Sequence, residues 1–355
     1  MANIQQKNYR IILNSKILTR ETRISAFVKL GEYLKSKELR ESPFLENIVH
    51  RNAWYTRDNV FQQIDAISSN LTSDKLENWL REVPNHNIDK SVGLVLAGNL
   101  PLVGFHDIMT VLLAGFKAQI KVSSDDAGLT KFILDHLFEI EPLFKERVQF
   151  VDKLENYDLV IATGSNNSAR YFEYYFGKKP NIIRKNRNSI SVLSGNETAE
   201  ELKDLGHDIF DYFGLGCRSV SKIFIPLDYN IPNLLDNFES FQGIKDHTKY
   251  NNNYDFNKSI YLINRNKHFD NGFLLLKEDE SLASPLAVVH FEYYDSIEKV
   301  EEYINSHRDE IQCVTTEMDL NKVDVPVFPL GSSQHPSLDD YADNINTLSF
   351  LLNNQ

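Results

Sequence analysis

Short apolar runs alternate with helix-like segments from residue 91 to residue 195, and this alternation is the strongest constraint on the fold. Strands that alternate with helices along one chain form a parallel sheet with right-handed crossover connections. The sequence therefore predicts an α/β protein with a parallel sheet of a kind that often binds nucleotides, although such a fold alone does not give a function. The predicted strands lie in SVGLVLAG, AQIKV, RVQFVD, YDLVIATG and NSISVLSG.

Two domains are expected, because 355 residues exceed the size of a typical single core. Beyond the first sheet, the pattern predicts a helix that leads to Cys217, a loop at 246–259 and strands at 259–266, 272–279 and 286–294. We assign the chain to three parts: residues 1–194 as N-terminal helices with the nucleotide-binding sheet, residues 195–330 as a catalytic domain, and residues 331–355 as a tail that returns to the first domain or forms an oligomer interface.

Composition excludes several classes of protein. A net charge of -12 argues against a nucleic-acid partner, because phosphate binding needs a basic surface. Two cysteines cannot form a disulfide framework, and the N-terminus lacks a secretory apolar core. Polar residues interrupt the longest apolar region, 91–115, so no membrane span is predicted. We therefore expect a cytoplasmic enzyme.

Three polar turns follow predicted strands, where open α/β sheets bind their ligands. Asn99 either stabilises its own turn or donates its side-chain amide to an oxyanion. Lys121 is either a solvated lysine at a strand end or a contact to a cofactor ribose or phosphate. Ser165 follows Gly164 at a helix start, where backbone N–H groups bind anions, but Ser165 could equally be an ordinary N-cap.

Cys217 lies at a turn in the segment DYFGLGCRSVSKIFIP. Arg218 and Lys222 follow it, and neighbouring positive charge favours a thiolate, while the flanking glycines leave space for a substrate to approach the sulfur. The alternative is a small buried cysteine, which is the interpretation that the surroundings of Cys313 favour for that residue. No cluster of His, Cys and Asp has metal-ligand spacing, so no metal is expected.

Taken in order, these sites resemble the aldehyde dehydrogenase superfamily and, within it, the acyl-CoA reductase branch of LuxC-like fatty-acyl reductases. The resemblance covers about residues 90–225 and rests on the Asn99 turn, AGFKAQIK ending at Lys121, the Thr-Gly-Ser helix start and Gly216-Cys217. A later segment, EDESLASPLAVVHF, is similar to the family's Glu-x-Phe-x-Pro segment, with Leu282 in place of the aromatic residue. The resemblance implies an aldehyde-dehydrogenase-like fold: a Rossmann-type sheet and a second, smaller α/β catalytic domain.

The resemblance also implies site residues. Cys217 resembles the nucleophile that forms an acyl-enzyme, and the Asn99 side chain and the Cys217 backbone N–H resemble the oxyanion donors. The implied cofactor is NADPH, with NADH as the alternative. The residues assigned to it are Lys121 and Glu280 at the riboses, Ser123 and Ser124 at a 2′-phosphate, and Gly164 and Ser165 at the supporting helix start.

One departure from the family pattern bears on the reaction. Hydrolytic members carry a glutamate base in a Glu-Leu-Gly-Gly-like stretch, whereas IIRKNRNSISVL here carries Arg184, Arg187 and no carboxylate. Without a base to activate water, an acyl-enzyme would not be hydrolysed. This implies a reductase that converts an acyl thioester, such as fatty acyl-CoA, to an aldehyde. Both arginines are interpreted as surface residues, with contacts to CoA phosphates as the alternative.

Two other functions remain open at this stage. Cys217 could serve an acyltransferase or thioesterase without redox chemistry, or the chain could be a non-catalytic binding protein that retains the fold. An apolar, strand-like C-terminal tail also predicts a homo-oligomer, most simply a dimer.

Overall fold

The computed structural model describes residues 18–355, which divide into two compact units. The first unit contains the described residues up to Lys185 together with Ser337–Tyr341 and Ile345–Gln355, and the second contains Asn186–Pro336 with Ala342–Asn344. The division therefore falls before the strand Asn188–Val192, not after it at residue 194 as expected. This strand is hydrogen-bonded within the sheet of the second unit.

Amphipathic helices precede the sheet of the first unit and share one core with it. Threonine side chains cap two of these helices: Thr19 accepts a hydrogen bond from the Thr22 N–H, and Thr56 accepts one from the Asn59 N–H. The α-helices of this unit are Arg20–Leu34, Lys37–Arg40, Pro43–Glu46, Arg57–Asn70, Ser73–Trp79, Phe105–Leu113, Leu129–Ile140, Asn166–Phe176 and Thr347–Leu352.

The first unit has a five-stranded parallel sheet. Its strands are β1 (Ser91–Val95), β2 (Lys117–Lys121), β3 (Val148–Phe150), β4 (Leu159–Thr163) and β5 (Asn181–Arg184), in the order β3-β2-β1-β4-β5. The strand order reverses direction between β1 and β4. At such a switch point the loops that follow the two strands diverge and leave a crevice at the carboxyl edge of the sheet, where ligands bind.

The second unit has a seven-stranded sheet in the order β12-β11-β6-β7-β10-β9-β8, in which only the β8–β9 pair is antiparallel. The sheet is buried on both faces, because Ile223 and Ile225 belong to one core cluster and the intervening Phe224 to another. The strands are β6 (Asn188–Val192), β7 (Val220–Pro226), β8 (Phe269–Asp270), β9 (Leu275–Glu278), β10 (Val288–Tyr294), β11 (Ile311–Thr315) and β12 (Val327–Phe328), and the α-helices are Ala199–Phe210, Ile231–Asn237, Thr248–Asn264 and Ile297–Ser306.

The predicted loop at 246–259 and the predicted strand at 259–266 are wrong, because one helix, Thr248–Asn264, replaces most of both. Its buried residues, Tyr250, Tyr254, Asn257 and Tyr261, recur every three or four positions, so a helix places them on one inward face. Burial of the tyrosines outweighs the low helix propensity of the asparagines between them.

The C-terminal tail is also not a strand. Asn346 caps the helix Thr347–Leu352 by accepting from the Ser349 N–H at 2.8 Å, and Leu348 and Leu351 are buried in the core of the first unit. The expected strand edge for a dimer is therefore wrong, and a homo-oligomer stays a prediction.

Within residues 18–355, no helix combines the length and the apolar character needed to cross a bilayer. The same residues contain no group of three or more His, Cys, Asp or Glu side chains that could hold a metal ion.

Candidate active site

Three of the predicted polar turns meet at the carboxyl edge of the five-stranded sheet. In the sheet register, Val95 at the end of β1 lies opposite Lys121 at the end of β2 and opposite Ala162 near the end of β4. The turns that carry Asn99 and Gly164 follow β1 and β4 directly, on either side of the switch point. The sequence therefore predicted correctly that these turns lie at the carboxyl edge of a parallel sheet, where such sheets bind ligands as a class.

A buried tyrosine, Tyr55, holds the turn that carries Asn99. The hydroxyl of Tyr55 donates to both Gly98 O and Leu100 O at 2.9 Å, and burial raises the pKa of Tyr55, so the phenol keeps its proton. Asn99 itself is exposed. Tyr55 therefore fixes the backbone on both sides of Asn99.

Gly98 allows the loops after β1 and β2 to touch. A Cβ at Gly98 would lie 2.8 Å from Asp126 N and 2.9 Å from Ser123 Cβ, so no other residue fits there without a shift. Ser123 caps a short 3₁₀ helix, Ser124–Asp126, by accepting from the Asp125 N–H at 3.2 Å. Ser124 and Lys121 are exposed. The loop after β1 therefore packs directly against the loop after β2.

Ser165 is the N-cap of the helix Asn166–Phe176 and accepts a hydrogen bond from the Ser168 N–H at 3.2 Å. The N-cap interpretation is therefore correct, and the helix N-terminus still lies at the carboxyl edge of β4. A Cβ at Gly164 would lie 2.9 Å from both Ser168 Cβ and Phe172 Cε2, so this glycine allows the strand to turn tightly into the helix.

These residues fit a nicotinamide dinucleotide. They offer an exposed cation at Lys121, an exposed hydroxyl at Ser124 and a helix N-terminus at Ser165. Backbone N–H groups, a cation and hydroxyls are the donors that phosphates and ribose hydroxyls require.

Cys217 is exposed in the second unit, in the turn Gly216–Ser219 that immediately precedes β7. The Ser219 N–H donates to Gly216 O at 3.1 Å, and the Gly216 N–H donates to Ser219 Oγ at 3.3 Å. From β6, Ser189 Oγ donates to Cys217 O at 2.9 Å. The alternative of a buried turn cysteine is therefore wrong.

Cys313 has the opposite environment. It is fully buried on β11, and burial raises the pKa of its thiol to about 11. Its Sγ lies 3.0 Å from the same Ser189 Oγ that contacts the Cys217 carbonyl. The interpretation of Cys313 as a buried structural residue is correct, and Ser189 links the two cysteine-bearing segments.

An unusual backbone leads from the helix Ala199–Phe210 to the Cys217 turn. Three consecutive residues are left-handed: Tyr212 at φ 54°, Phe213 at φ 61° and Gly214 at φ 74°. Only the third is a glycine, so the segment carries strain of the kind that clusters at functional sites. A Cβ at Gly214 would lie 3.2 Å from Ile209 O. The missing side chain of Gly214 therefore lets the chain turn close to the end of the helix.

Glu280 lies in the same unit as Cys217, on an exposed segment tied to β7. Lys222 Nζ donates to Glu280 O at 2.8 Å, and Ser221 Oγ donates to Leu282 O at 2.8 Å. The structure thereby connects the Glu280 segment to the strand that begins just after the Cys217 turn.

Lys222 does not supply the free positive charge expected near Cys217. Its side chain is fully buried, and its Nζ lies 2.6 Å from Glu292 Oε2. The Nζ also lies 5.0 Å from the ring centroids of Phe224 and Tyr303. Lys222 is therefore part of the core of the sheet.

Arg184 is buried, and Arg187 is partly exposed with its guanidinium engaged by neighbouring groups. Arg184 is 3% exposed, and its guanidinium forms a bidentate pair with the Asp107 carboxylate and donates to Thr347 Oγ1 at 2.9 Å. Arg187 pairs with Asp343 at 3.6 Å and donates to the main-chain oxygen of Ile311 at 3.3 Å. The surface interpretation is wrong for Arg184, whereas Arg187 is partly exposed and held by these contacts.

The sequence prediction missed Ser189, whose hydroxyl donates to the Cys217 carbonyl, and two buried polar residues of the same unit, Asp208 and Gln334. Asp208 could have been noticed, because a carboxylate falls on the apolar face of a predicted helix. Gln334 lies in GSSQHP, a segment that looks like an ordinary turn, so no sequence signal distinguishes it.

Comparisons with known proteins agree with this geometry. The family model for acyl-CoA reductase (LuxC) matches residues 32–233. Among solved structures, an NAD-dependent benzaldehyde dehydrogenase from Corynebacterium glutamicum has 13% identity and a TM-score of 0.66, covering 87% of this chain and 80% of that chain. Aldehyde dehydrogenase 21 from Physcomitrella patens has 14% identity and a TM-score of 0.62, covering 94% of this chain and 83% of that chain.

A further solved structure is the NAD+ complex of an aldehyde dehydrogenase from Bacillus cereus, with 14% identity and a TM-score of 0.62, covering 88% of this chain and 76% of that chain. A search of curated proteins found no match. The structural likenesses confirm the predicted aldehyde-dehydrogenase-like fold. Because the family model matches more than half of its 355 residues, the chain belongs to the acyl-CoA reductase (LuxC) family.

Proposed function

We propose that this protein is an NADPH-dependent acyl-CoA reductase that converts an acyl thioester, such as fatty acyl-CoA, to an aldehyde through an acyl-enzyme on Cys217. The family match supports an oxidoreductase that acts on acyl groups or aldehydes. The observation that carries the proposal is the exposure of Cys217 on a turn held by hydrogen bonds, while Cys313 is buried and protonated.

The reaction would proceed in two steps. In the first, the Cys217 thiolate attacks the thioester carbonyl, a new carbon–sulfur bond forms, and the bond to the CoA sulfur breaks to release CoA as a thiolate. When bound, a reduced nicotinamide would supply a hydride to the acyl carbon. The carbon–sulfur bond to Cys217 then breaks, which restores the thiolate and releases the aldehyde.

Oxyanion stabilisation is assigned to two donors. Each step places negative charge on the acyl oxygen, and a fixed N–H donor lowers the free energy of that state by a large amount. The Asn99 side chain and the Cys217 backbone N–H are the proposed donors. Tyr55 and Ser189 hold the backbone of Asn99 and Cys217, respectively, and their hydrogen bonds support these roles.

Hydrolysis of the acyl-enzyme should be slow. The segment 182–193 has no carboxylate, and Asp208, which lies on the helix leading to Cys217, is fully buried with its oxygens occupied by donors. A carboxylate in that state cannot accept a proton from an attacking water. Reduction of the acyl-enzyme by hydride is therefore favoured over its hydrolysis by water.

The cofactor is assigned to the exposed edge of the five-stranded sheet. Lys121 would hold one ribose at this edge, and Gly164 and Ser165 would form the phosphate-facing helix start. Glu280, which lies in the second unit, is assigned to a ribose from the family resemblance. The cation of Lys121 at the end of β2, together with the hydroxyls of Ser123 and Ser124 shortly after it, would suit a 2′-phosphate, which favours NADPH over NADH as the natural donor.

Intact-mass spectrometry of the wild type and Cys217→Ala after exposure to acyl-CoAs of different chain lengths tests the proposal. We expect an acyl adduct on the wild type only, and its loss with release of aldehyde when NADPH is added. An adduct that NADPH does not remove would indicate an acyltransferase. Absence of any adduct, with Cys217 still reactive toward iodoacetamide, would contradict the thioester reaction itself.

A further inference from the structure

A chain of hydrogen bonds joins the turn that carries Cys217 to a loop far along the sequence. Ser219 Oγ, which accepts from the Gly216 N–H at 3.3 Å, also accepts from Gln334 Nε2 at 3.2 Å. Ser219 is 4% exposed and Gln334 is 7% exposed. Because water has little access to this contact, the amide of Gln334 has few competing partners, and the hydrogen bond restrains the turn effectively.

The loop that carries Gln334 is itself fixed by Asp208. The buried Asp208 carboxylate accepts from the Gly331 N–H at 2.7 Å, the Ser333 N–H at 3.0 Å and the Ser333 hydroxyl at 2.7 Å. Burial raises the pKa of Asp208, whereas these donors favour its ionised form. The left-handed Gly331, at φ 80°, lets the loop approach the helix so closely that a Cβ would lie 2.9 Å from Asp204 Cβ.

This arrangement ties both sides of the Cys217 turn to one helix. Asp208 lies near the end of the helix Ala199–Phe210, which leads into the left-handed segment before the turn. The loop held by Asp208 then returns, through Gln334, to the other end of the turn at Ser219. The direction of the Cys217 N–H depends on the peptide plane between Gly216 and Cys217, which lies within this restrained turn.

We propose that Gln334 is a positioning residue for the reaction: it fixes the Gly216–Ser219 turn so that the Cys217 backbone N–H points at the developing oxyanion, and Asp208 positions Gln334. This inference rests on the proposed function, because the oxyanion arises only in acyl transfer. A misplacement of about 1 Å at a reacting centre can reduce a rate roughly 100-fold, so a modest relaxation of the turn should be measurable.

A positioning role and a merely structural role can be separated by two reactions of the same thiol. Attack on a thioester builds negative charge on a carbonyl oxygen, which an N–H donor must stabilise. Attack on iodoacetamide displaces iodide from a saturated carbon and creates no such oxyanion. Loss of positioning therefore lowers the rate of acylation relative to the rate of alkylation. General destabilisation of the protein changes both rates together.

The test compares Gln334→Met with Gln242→Met. Met has a similar size to Gln but no amide, and Gln242 is an exposed glutamine of the same unit that serves as the matched control. The measurements are the rate of Cys217 acylation by a fatty acyl-CoA, the rate of alkylation by iodoacetamide, and hydrogen exchange at the amides of residues 216–219. Asp208→Asn serves as a second variant.

We expect acylation of Gln334→Met to fall about tenfold or more, with alkylation unchanged and faster exchange at the turn, while Gln242→Met behaves as the wild type. Acylation and alkylation that fall in equal proportion, or exchange at the turn that stays at the wild-type rate, would overturn the inference. If wild-type protein is alkylated but no acyl-CoA acylates it, the proposed function fails. The exchange measurement then still decides whether Gln334 restrains the turn.

Discussion

Asp107 and Arg184 form a bidentate ion pair in the interior of the first unit, with 5% of Asp107 and 3% of Arg184 exposed. Asp107 lies in the first turn of the helix Phe105–Leu113, and Arg184 is the last residue of β5. The pair thus joins the helix that follows the Asn99 turn to the edge strand of the same sheet. Thr347 adds a third hydrogen bond, from the C-terminal helix.

Removal of one partner should strongly destabilise the first unit. Arg184→Met leaves the Asp107 carboxylate buried without its cation, and such a change typically costs about 3–5 kcal/mol of the free energy of unfolding. Unfolding in urea measures this loss. The matched control is Lys185→Met, which removes an exposed pair with Glu173 and should cost about 0–1 kcal/mol. An equal effect of both variants would contradict the buried pair.

The two cysteines should differ sharply toward alkylating reagents. Cys313 has a pKa of about 11 because it is buried, and roughly one thiol in a thousand is ionised three pH units below its pKa. Iodoacetamide at pH 8 should therefore add a single group to the folded wild type and none to Cys217→Ser. In denaturant, both cysteines should react. Two adducts on the folded protein would show that Cys313 is accessible.

Local periodicity predicted β1 to β4 of the first sheet, but it missed β5 and assigned the segment of β6, which belongs to the second sheet, to the first. Runs of β-branched residues that alternate with amphipathic segments indicate strands joined by crossover helices. Each polar turn after a strand then lies at the carboxyl edge of the sheet. Cys217 could be singled out for a similar local reason, since it stands at a glycine-flanked turn before a predicted strand.

The features that the sequence did not predict depend on distant contacts. Arg184 looked like a surface residue because its partner, Asp107, is 77 positions away. Gln334 contacts Ser219 across 115 positions, and nothing in its own segment indicates burial. The helix Thr248–Asn264 was missed because its stability comes from tyrosines packed against the rest of the unit and not from its asparagine-rich composition.

Stability should depend on pH through a histidine on the helix that leads to Cys217. The Asp211 carboxylate, 3.1 Å from His207 Nδ1, raises the pKa of His207 above its ordinary value of 6.5. A raised folded-state pKa means that the stabilisation is fully present below the unfolded pKa and is lost as the pH rises through the folded pKa. Stability should thus decrease as the pH rises above 6.5.

The measurement for this effect is the urea midpoint of unfolding as a function of pH, compared between the wild type and Asp211→Asn. The variant removes the carboxylate that raises the pKa, so its midpoint should change less across this range. His207 can also be followed directly by NMR titration. A His207 pKa at or below the ordinary value in the wild type would contradict the pairing.

Cofactor choice should respond to Ser124, which is exposed in the loop after β2 and is assigned to the 2′-phosphate of NADPH. Ser124→Glu places a carboxylate where that phosphate would bind, and the repulsion should raise the KM for NADPH about tenfold or more. The KM for NADH should stay unchanged or fall, because a carboxylate can accept hydrogen bonds from ribose hydroxyls. Acylation of Cys217 precedes hydride transfer and should not change.

The control for this substitution is Ser69→Glu, at an exposed serine on the helix Arg57–Asn70 of the same unit. It adds the same charge away from the sheet edge and should leave both KM values unchanged. A uniform rise in the KM for NADPH and NADH in Ser124→Glu would show that the residue contacts a part common to both dinucleotides. No change for either would place the cofactor away from β2 and would remove the basis for assigning Lys121 and Ser123 to it.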